Sequence, residues 1–335
     1  MKTQEYDIEI ITPCFCAGAN QEKAEIRVPS IRGQVRWWFR AIGGSFSEED
    51  ELFGCARGNA KASALAFRLI PPIPSSDKAE TRENDYLLWP LRSNKRGVIT
   101  PPASFKLLVK EARRVSNELF QKAICAIDLW IFLGAIGTRS RRCAGSLWPK
   151  NISVQNADEL KRKISEIVSY MRKSPKFEIY IFSSGDSDVN SALKMAGRWL
   201  HEWRAGSNRS GMTPKQWGKN DHDAGLGKSN IVYRPALGLP ILQRYSKDHS
   251  MKETFLRDEN GDETDRWGSP LHMKIAKLNG SFVPMIVFFP EHVIPAGSSL
   301  QIKDKKGGGA SHNVQLKHDL IYNMLMDNKL CKIYP

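Results

Sequence analysis

The stretch from Arg27 to Gly44, R-V-P-S-I-R-G-Q-V-R-W-W-F-R-A-I-G-G, most narrows what this chain can fold into. Its apolar residues Ile31, Val35, Trp38 and Ile42 recur at helical spacing and predict a face turned to a core. Ser30 after Pro29 reads as the helix start, its hydroxyl placed to accept an N–H of the first turn. Gly43 and Gly44 read as the stop, because glycine takes the left-handed cap conformation without strain. Arg32, Arg36 and Arg40 step at i, i+4 and i+8, which sets them in a row away from the apolar face. Three guanidiniums in one row repel each other unless something anionic lies alongside. Arginine forks beside Trp37, Trp38 and Phe39 combine phosphate recognition with surfaces on which bases stack. Either Trp37 or Trp38 is a candidate to stack a splayed base, and Trp37 is the better placed because Trp38 belongs to the apolar face. The competing reading is a solvated helix face with its aromatics in the core.

Composition points the same way. The chain has 335 residues, enough for two ordinary domains, and 41% are hydrophobic, enough for real cores. Its formal net charge of +14 favours a polyanionic partner, nucleic acid ahead of a membrane. The most apolar run, Ala123 to Gly137, is short and contains Asp128, so it reads as a buried helix and not a membrane span. The N-terminus lacks the apolar stretch of a signal peptide. The six cysteines fit neither a zinc finger nor a disulfide framework. The expectation is a cytoplasmic protein with reduced thiols and with no metal, no cofactor and no membrane partner.

In chain order, Tyr6 to Pro13 reads as a strand, followed by the arginine helix and a second strand at Ala64 to Ile70. Residues 71–97, rich in Pro, Ser, Asp and Arg, read as a long loop. Ser104 to Lys110 is a third strand, and a helix capped by Asn117 runs to about Ile136. That helix ends in G-A-I-G-T-R-S-R-R-C-A-G-S-L, Gly134 to Leu147. Gly134, Gly137 and Gly145 let a backbone approach a phosphate, and Ser140 is small enough to leave N–H groups unobstructed. Arg139, Arg141 and Arg142 bring charge to the same loop. It lacks the ending of a nucleotide-triphosphate loop, and it follows a helix where a dinucleotide fingerprint follows a strand. The plain alternative is a tight turn with solvated charges. With Ser146 to Val154 as a fourth strand, the order is βαββαβ, the ferredoxin-like arrangement.

The motifs I-T-P-x-F-x-x-G-A (Ile11 to Ala19), V-P-S-I-R-G-x-V-R-W-W-F-R (Val28 to Arg40) and G-x-I-G-T-R-S-R-R-x-x-G-S-L (Gly134 to Leu147) resemble the RAMP superfamily of CRISPR-associated proteins. More closely, they resemble its end-capping RNA-binding subunits of type III-B Cmr effector complexes. Cys143 stands where that loop usually carries another glycine. The resemblance implies an α+β chain of two ferredoxin-like domains, residues 1–155 and 156–335. It also implies a place at the 3′ end of the guide RNA in antiviral defence, without RNA cutting. Guide RNA, single-stranded target RNA and other Cmr subunits are the partners it implies.

In the second half, Leu160 to Met171 and Val189 to Arg204 read as helices, with a strand at Phe177 to Phe182 between them. Residues 205–230 read as a mobile loop. Tyr233 to Ile241 and Arg266 to Ile275 resemble segments of the same subunit family. Leu271 to Leu278 and Phe282 to Phe289 pair through Asn279-Gly280, a hairpin signal. Lys303 to Gly309 reads as a basic loop and Val314 to Leu325 as a last helix. The candidate RNA contacts are Arg27, Arg32, Arg36, Trp37 and Arg40 on the first helix and the loop residues already named. Arg234, Arg266, His272 and Lys274 would extend the track.

The rival reading is a metal-independent guide-RNA-processing endoribonuclease. Such chemistry needs a base for the 2′-OH and an acid for the leaving oxygen, commonly histidines. The chain has seven histidines, His201, His222, His249, His272, His292, His312 and His318, and no motif ties two together. His201 and His318 fall in expected helices, and His222 sits between Asp221 and Asp223. No D-x-D or E-x-x-H pattern suggests a metal nuclease. The expectation is binding without catalysis.

Overall fold

In strand β1 (Thr3–Ile10) Tyr6, Ile8 and Ile10 are buried while Glu5 and Asp7 point to the other face. That period-2 alternation is what a half-buried strand requires. The computed structural model describes residues 1–56, 58, 60–76, 86–88, 91, 96–171, 176–204, 216–245, 250–257, 262–264, 266–304 and 311–335. Most of the expected loop 71–97, residues 205–215, 305–309 and His249 lie outside these.

The chain divides into two compact units. The first comprises Met1–Met195, His272–Val287 and Cys331–Pro335, and the second Ala196–Leu271 and Phe288–Leu330. The chain crosses between the two units four times.

In the first unit a short β2 (Ala24–Glu25) leads to α1 (Val28–Ala41), then α2 (Phe46–Phe53), β3 (Leu65–Ile70), β4 (Ser75–Ser76) and β5 (Ala103–Glu111). Helix α3 (Asn117–Leu133) and β6 (Leu147–Pro149) follow. The first sheet has the order β3-β5-β1-β6 and is antiparallel throughout. Ile8 lies opposite Phe105 and Tyr6 opposite Leu107, so the buried faces of β1 and β5 coincide. Helices α1 and α3 pack on each other, and Ile31, Val35, Trp38 and Ile42 are all buried as their spacing requires. On the opposite face Lys106 pairs with Glu5 at 3.2 Å and Asp7 at 3.4 Å.

Helix ends differ by small amounts from expectation. Helix α1 begins at Val28, with Arg27 at the cap position and Ser30 already inside. Pro29 in the first turn explains this, since it has no N–H to satisfy and its φ is preset for a helix. Helix α3 is capped by Ser116, which accepts from the Leu119 N–H at 3.1 Å. Strand β6 is three residues long, shorter than the expected Ser146 to Val154. Helix α2 is not among the sequence expectations. Its start is a capping box, in which Ser45 N donates to Glu48 Oε2 at 2.8 Å and Glu48 N to Ser45 Oγ at 3.3 Å.

Helix α4 (Ala157–Ser169), β7 (Glu178–Phe182) and α5 (Val189–Arg204) follow. In the second unit come α6 (Gln216–Gly225), β8 (Ile231–Val232), β9 (Ile241–Arg244), β10 (Met251–Arg257) and β11 (Glu263–Thr264). Helix α6 corrects the expected loop at 205–230. Strands β12 (Leu271–Leu278) and β13 (Ser281–Phe288) form the expected hairpin, with Asn279 at φ 46° and Gly280 at φ 78°, the positive angles of a primed turn. They join β7 and the last strand in the order β12-β13-β7-β16. The chain closes with β14 (Leu300–Asp304), β15 (His312–Leu316), α7 (Asp319–Leu325) and β16 (Leu330–Tyr334).

The expected last helix, Val314 to Leu325, is thus a strand and then a helix. Val314 and Leu316 are buried and Gln315 between them is exposed, a strand pattern that wins because β15 pairs with β14 and β8. The second unit's sheet runs β11-β10-β14-β15-β8, with β9 also on β10. Trp199 and Trp203 each donate an indole N–H to Asp327 Oδ2, at 3.1 and 2.7 Å.

Asp128 on α3 sits beside Tyr6 of β1. Burial pushes its pKa up to about 7, and the Tyr6 phenol offsets only part of that rise. A carboxyl whose folded pKa exceeds its unfolded value favours the fold while protonated, so its contribution fades as pH climbs from about 4 through 7. Asp128→Asn is expected to become more stable relative to wild type as pH rises from 5 to 8, measured by urea denaturation at both. A pH-independent difference would contradict this.

Candidate functional site

The arginine row of α1 has an anion alongside it within the fold. Glu49 of α2 is buried, and its Oε1 accepts from Arg36 Nε and from Arg40 Nη1, both at 2.6 Å. Burial works to raise the Glu49 pKa, but the hydrogen bonds from Arg40 and Arg36 outweigh it and hold the carboxyl below its usual value. Arg32 donates to the Phe53 carbonyl at 2.5 Å, at the C-terminal end of α2 where a cation is favoured. Arg27 pairs with Glu25 at 3.3 Å. The row therefore docks α2 onto α1, and only Arg40 is classed as exposed.

The loop after α3 is tied down along its length. The Thr138 N–H donates to the Phe15 carbonyl at 2.9 Å, Gly145 N–H to the Pro13 carbonyl at 2.9 Å and Cys143 N–H to the Met273 carbonyl of β12 at 2.9 Å. Its glycines serve this close packing. A Cβ at Gly134 would lie 2.6 Å from the Trp130 carbonyl oxygen, and one at Gly145 would lie 2.0 Å from that of Ile136. At Gly137, where φ is 91°, a Cβ would lie 2.8 Å from the Phe15 carbonyl oxygen. Each of the three glycines thus has a packing reason inside the fold. Arg139 donates through Nε to the Leu87 carbonyl at 2.5 Å, and Arg142 through Nη1 to the Arg141 carbonyl at 2.8 Å.

What the fold brings together is a smaller set. Trp37, Arg40, Gly134, Ser140, Arg141 and His272 line one cleft of about 260 Å³. The Trp37 and His272 rings lie 4.6 Å apart at 31°, and the Arg141 guanidinium is 5.5 Å from the Trp37 ring centroid. Trp37 is thus one half of an aromatic wall and not a bare platform. Burial lowers the Arg141 pKa, the mark of a cation drawn partly out of water. An anion seated there would offset that desolvation. Gly33, Gln34 and Met273 also line the cleft and are absent from the sequence candidates. For Gly33 and Gln34 a signal existed, since they lie four and three residues before Trp37 on one helix face.

Lys274 requires correction as an RNA contact. It is 1% exposed, and its Nζ donates to the carbonyls of Phe132 and Leu147 at 2.7 Å and of Ile131 at 3.3 Å. Burial drives its pKa well below that of an ordinary lysine, against a smaller upward effect of Cys143. On a strand it alternates with Met273 and Ile275, and all three are buried because β12 is covered on both faces.

Arg234 and Arg266 belong to the second unit and are not among the residues that line the cleft. Arg266 is exposed, whereas Arg234 is bound by buried Asp221, Nε to Oδ2 at 2.7 Å. Asp221 also accepts from the backbone N–H groups of Tyr233 and Arg234, at 2.7 and 3.0 Å. His312 and His318 each bond a backbone carbonyl at 2.8 Å, of Ala224 and Ile294. Among the described residues no group of three His, Cys, Asp or Glu side chains is placed to hold a metal, and no helix is long and apolar enough to cross a membrane.

The arginine row, the tied glycine loop and every lining residue of the cleft except His272 and Met273 fall in one stretch of sequence. Residues 7–148 match the RAMP superfamily. The chain is 32% identical over 162 residues to CRISPR system Cmr subunit Cmr1-1 of Pyrococcus furiosus, covering 44% of this chain and 47% of that protein. It is 25% identical over 172 residues to Cmr1-2 of the same organism, covering 42% of this chain and 92% of that one. The alignment thus spans about half the length of the first relative. In fold the whole chain resembles the crystal structure of Cmr1 from Pyrococcus furiosus in its apo form. That match has a TM-score of 0.61 at 16% identity and covers 100% of this chain and 99% of the other. A chain of the type III-B Cmr-beta complex bound to cognate target RNA aligns with a TM-score of 0.52 at 13% identity, over 96% and 97% of the two chains. The chain therefore resembles Cmr1 subunits of the RAMP superfamily.

Lys274→Met is expected to destabilise the protein by about 3 kcal/mol or more, since it orphans carbonyls that water cannot reach. Denaturant titration checks this, and a loss under about 1 kcal/mol would contradict the role given to the ammonium.

Proposed function

We propose that this chain is a non-catalytic RNA-binding subunit of a type III-B Cmr effector complex. It acts in the cytoplasm and binds single-stranded RNA near the 3′ end of the guide or along the paired target. The observation that carries the reading is the cleft in which Arg40 and Arg141 flank the Trp37–His272 wall. Guanidiniums suit phosphates and aromatic rings suit unstacked bases, the combination that single-stranded RNA requires. The relatives support the assembly. Two are Cmr subunits by name, and one fold match comes from a complex holding target RNA.

We further read the fold as two ferredoxin-like units of topology. The strands β1, β3, β5 and β6 lie in the sheet order second-third-first-fourth, and β7, β12, β13 and β16 repeat it. In each set a helix follows the first strand, as in βαββαβ. The 1–155 and 156–335 division is then one of topology, with the second set interrupted by long insertions.

Binding without catalysis fits the cleft better than histidine chemistry does. General acid–base cleavage employs a pair of titrating groups, and His272 is the one histidine among the described residues lining the cleft. Its ring is packed against Trp37.

Binding of a labelled single-stranded RNA is expected to weaken log-linearly with salt, as phosphate contacts release counterions. Arg40→Ala and Arg141→Ala should each lower affinity by about tenfold and make the slope shallower by about one. The RNA should stay intact on a gel without added metal. Unchanged affinity in both variants would contradict the site, and metal-free cleavage would contradict the function.

A further inference from the structure

Gly33 sits in the interior of α1, where glycine costs about 1 kcal/mol relative to alanine. The other glycines of this region have reasons inside the fold, either a contact that forbids a Cβ or a positive φ. Gly33 has neither. Its backbone is helical, it is exposed, and nothing lies within 4 Å of where a Cβ would stand. Packing within the chain thus leaves the missing side chain unexplained. Its position is not arbitrary, because Gly33 and Gln34 form the wall of the cleft one turn before Trp37.

The geometry points to Gly33 as the place where the sugar–phosphate chain of the bound RNA crosses α1 in contact with the helix backbone. This rests on the reading of the cleft as an RNA site. The aromatic wall of Trp37 and His272 takes a base, and Arg40 and Arg141 take phosphate. A strand whose base is held there must continue out of the cleft. Along α1 in the N-terminal direction the opening has no side chain at Gly33, so the ribose and its phosphate reach the backbone itself. A methyl group there would hold the strand away by more than an ångström and misplace the base against Trp37. Glycine is the residue that permits such an approach. The amide of Gln34 beside it supplies both a donor and an acceptor for ribose or phosphate oxygens.

The test uses the full-length chain, a fluorescently labelled ten-nucleotide oligouridine, and three variants, Gly33→Ala, Gly33→Leu and Arg141→Ala, with thermal melts on each. The expected result separates stability from binding. Gly33→Ala melts at or above the wild-type temperature yet binds RNA about fivefold to tenfold more weakly, and Gly33→Leu binds more weakly still. Wild-type affinity in both Gly33 variants, with Arg141→Ala impaired, would overturn the crossing at Gly33 and leave the RNA cleft standing. Wild-type affinity in all three would overturn both. A lower melting temperature for Gly33→Ala would also overturn the inference, since the fold itself would then need the glycine.

Discussion

The buried ammonium of Lys274 is the interaction on which the first unit's site depends. Helix α3 ends with carbonyls that no later turn can satisfy and carries no basic residue in its last turn. Lys274, 141 residues beyond Leu133 in sequence, supplies the missing donors to Ile131 and Phe132 and also holds the Leu147 carbonyl at the start of β6. The glycine loop spans the gap between those two anchors. Its shape is therefore set by β12, whose Met273 backbone also receives the Cys143 N–H. The same strand delivers His272 to the face of Trp37. A charge that reads from sequence as an exposed contact is instead what holds the contacts in place.

Glu49 plays the matching part on the other wall. One carboxylate oxygen takes Arg36 and Arg40 together, which offsets the repulsion of a guanidinium row and fixes α2 on α1. Arg40 remains 40% exposed while so held, which leaves it available at the cleft as an oriented donor. Rigid side chains of this kind lose less freedom when a ligand arrives. Of the cleft's groups, Arg40 is thus already oriented by an ion pair before a ligand arrives.

Strongly periodic segments are legible in the sequence itself. The apolar face of α1, the alternation of β1, the span of α5 and the Asn279-Gly280 turn each follow from local rules that tertiary contacts do not oppose. The failures have physical causes. Helix α2 is eight residues, too short for a clear period, and only its Ser45–Glu48 capping box announces it. Residues 312–325 carry two consecutive patterns that a single helical window merges. Lys274 reads as a surface contact because burial of a lysine is decided by which carbonyls surround it, and those come from a helix and strand far away in sequence. The glycine loop showed its residue types but not their reasons, since the approaches to Trp130, Phe15 and Ile136 exist only once the chain has closed. Of the candidate site, Trp37, Arg40 and Arg141 could be named from sequence. Their meeting with His272 could not.

The most direct measurement of the central claim is photo-crosslinking of the full-length chain to a single-stranded RNA carrying 4-thiouridine, with the linked peptides identified by mass spectrometry. The account predicts crosslinks concentrated in Gly33–Arg40, Gly134–Arg142 and the segment around His272, lost in high salt. Crosslinks confined to the second unit, or spread evenly over the basic surface, would contradict it.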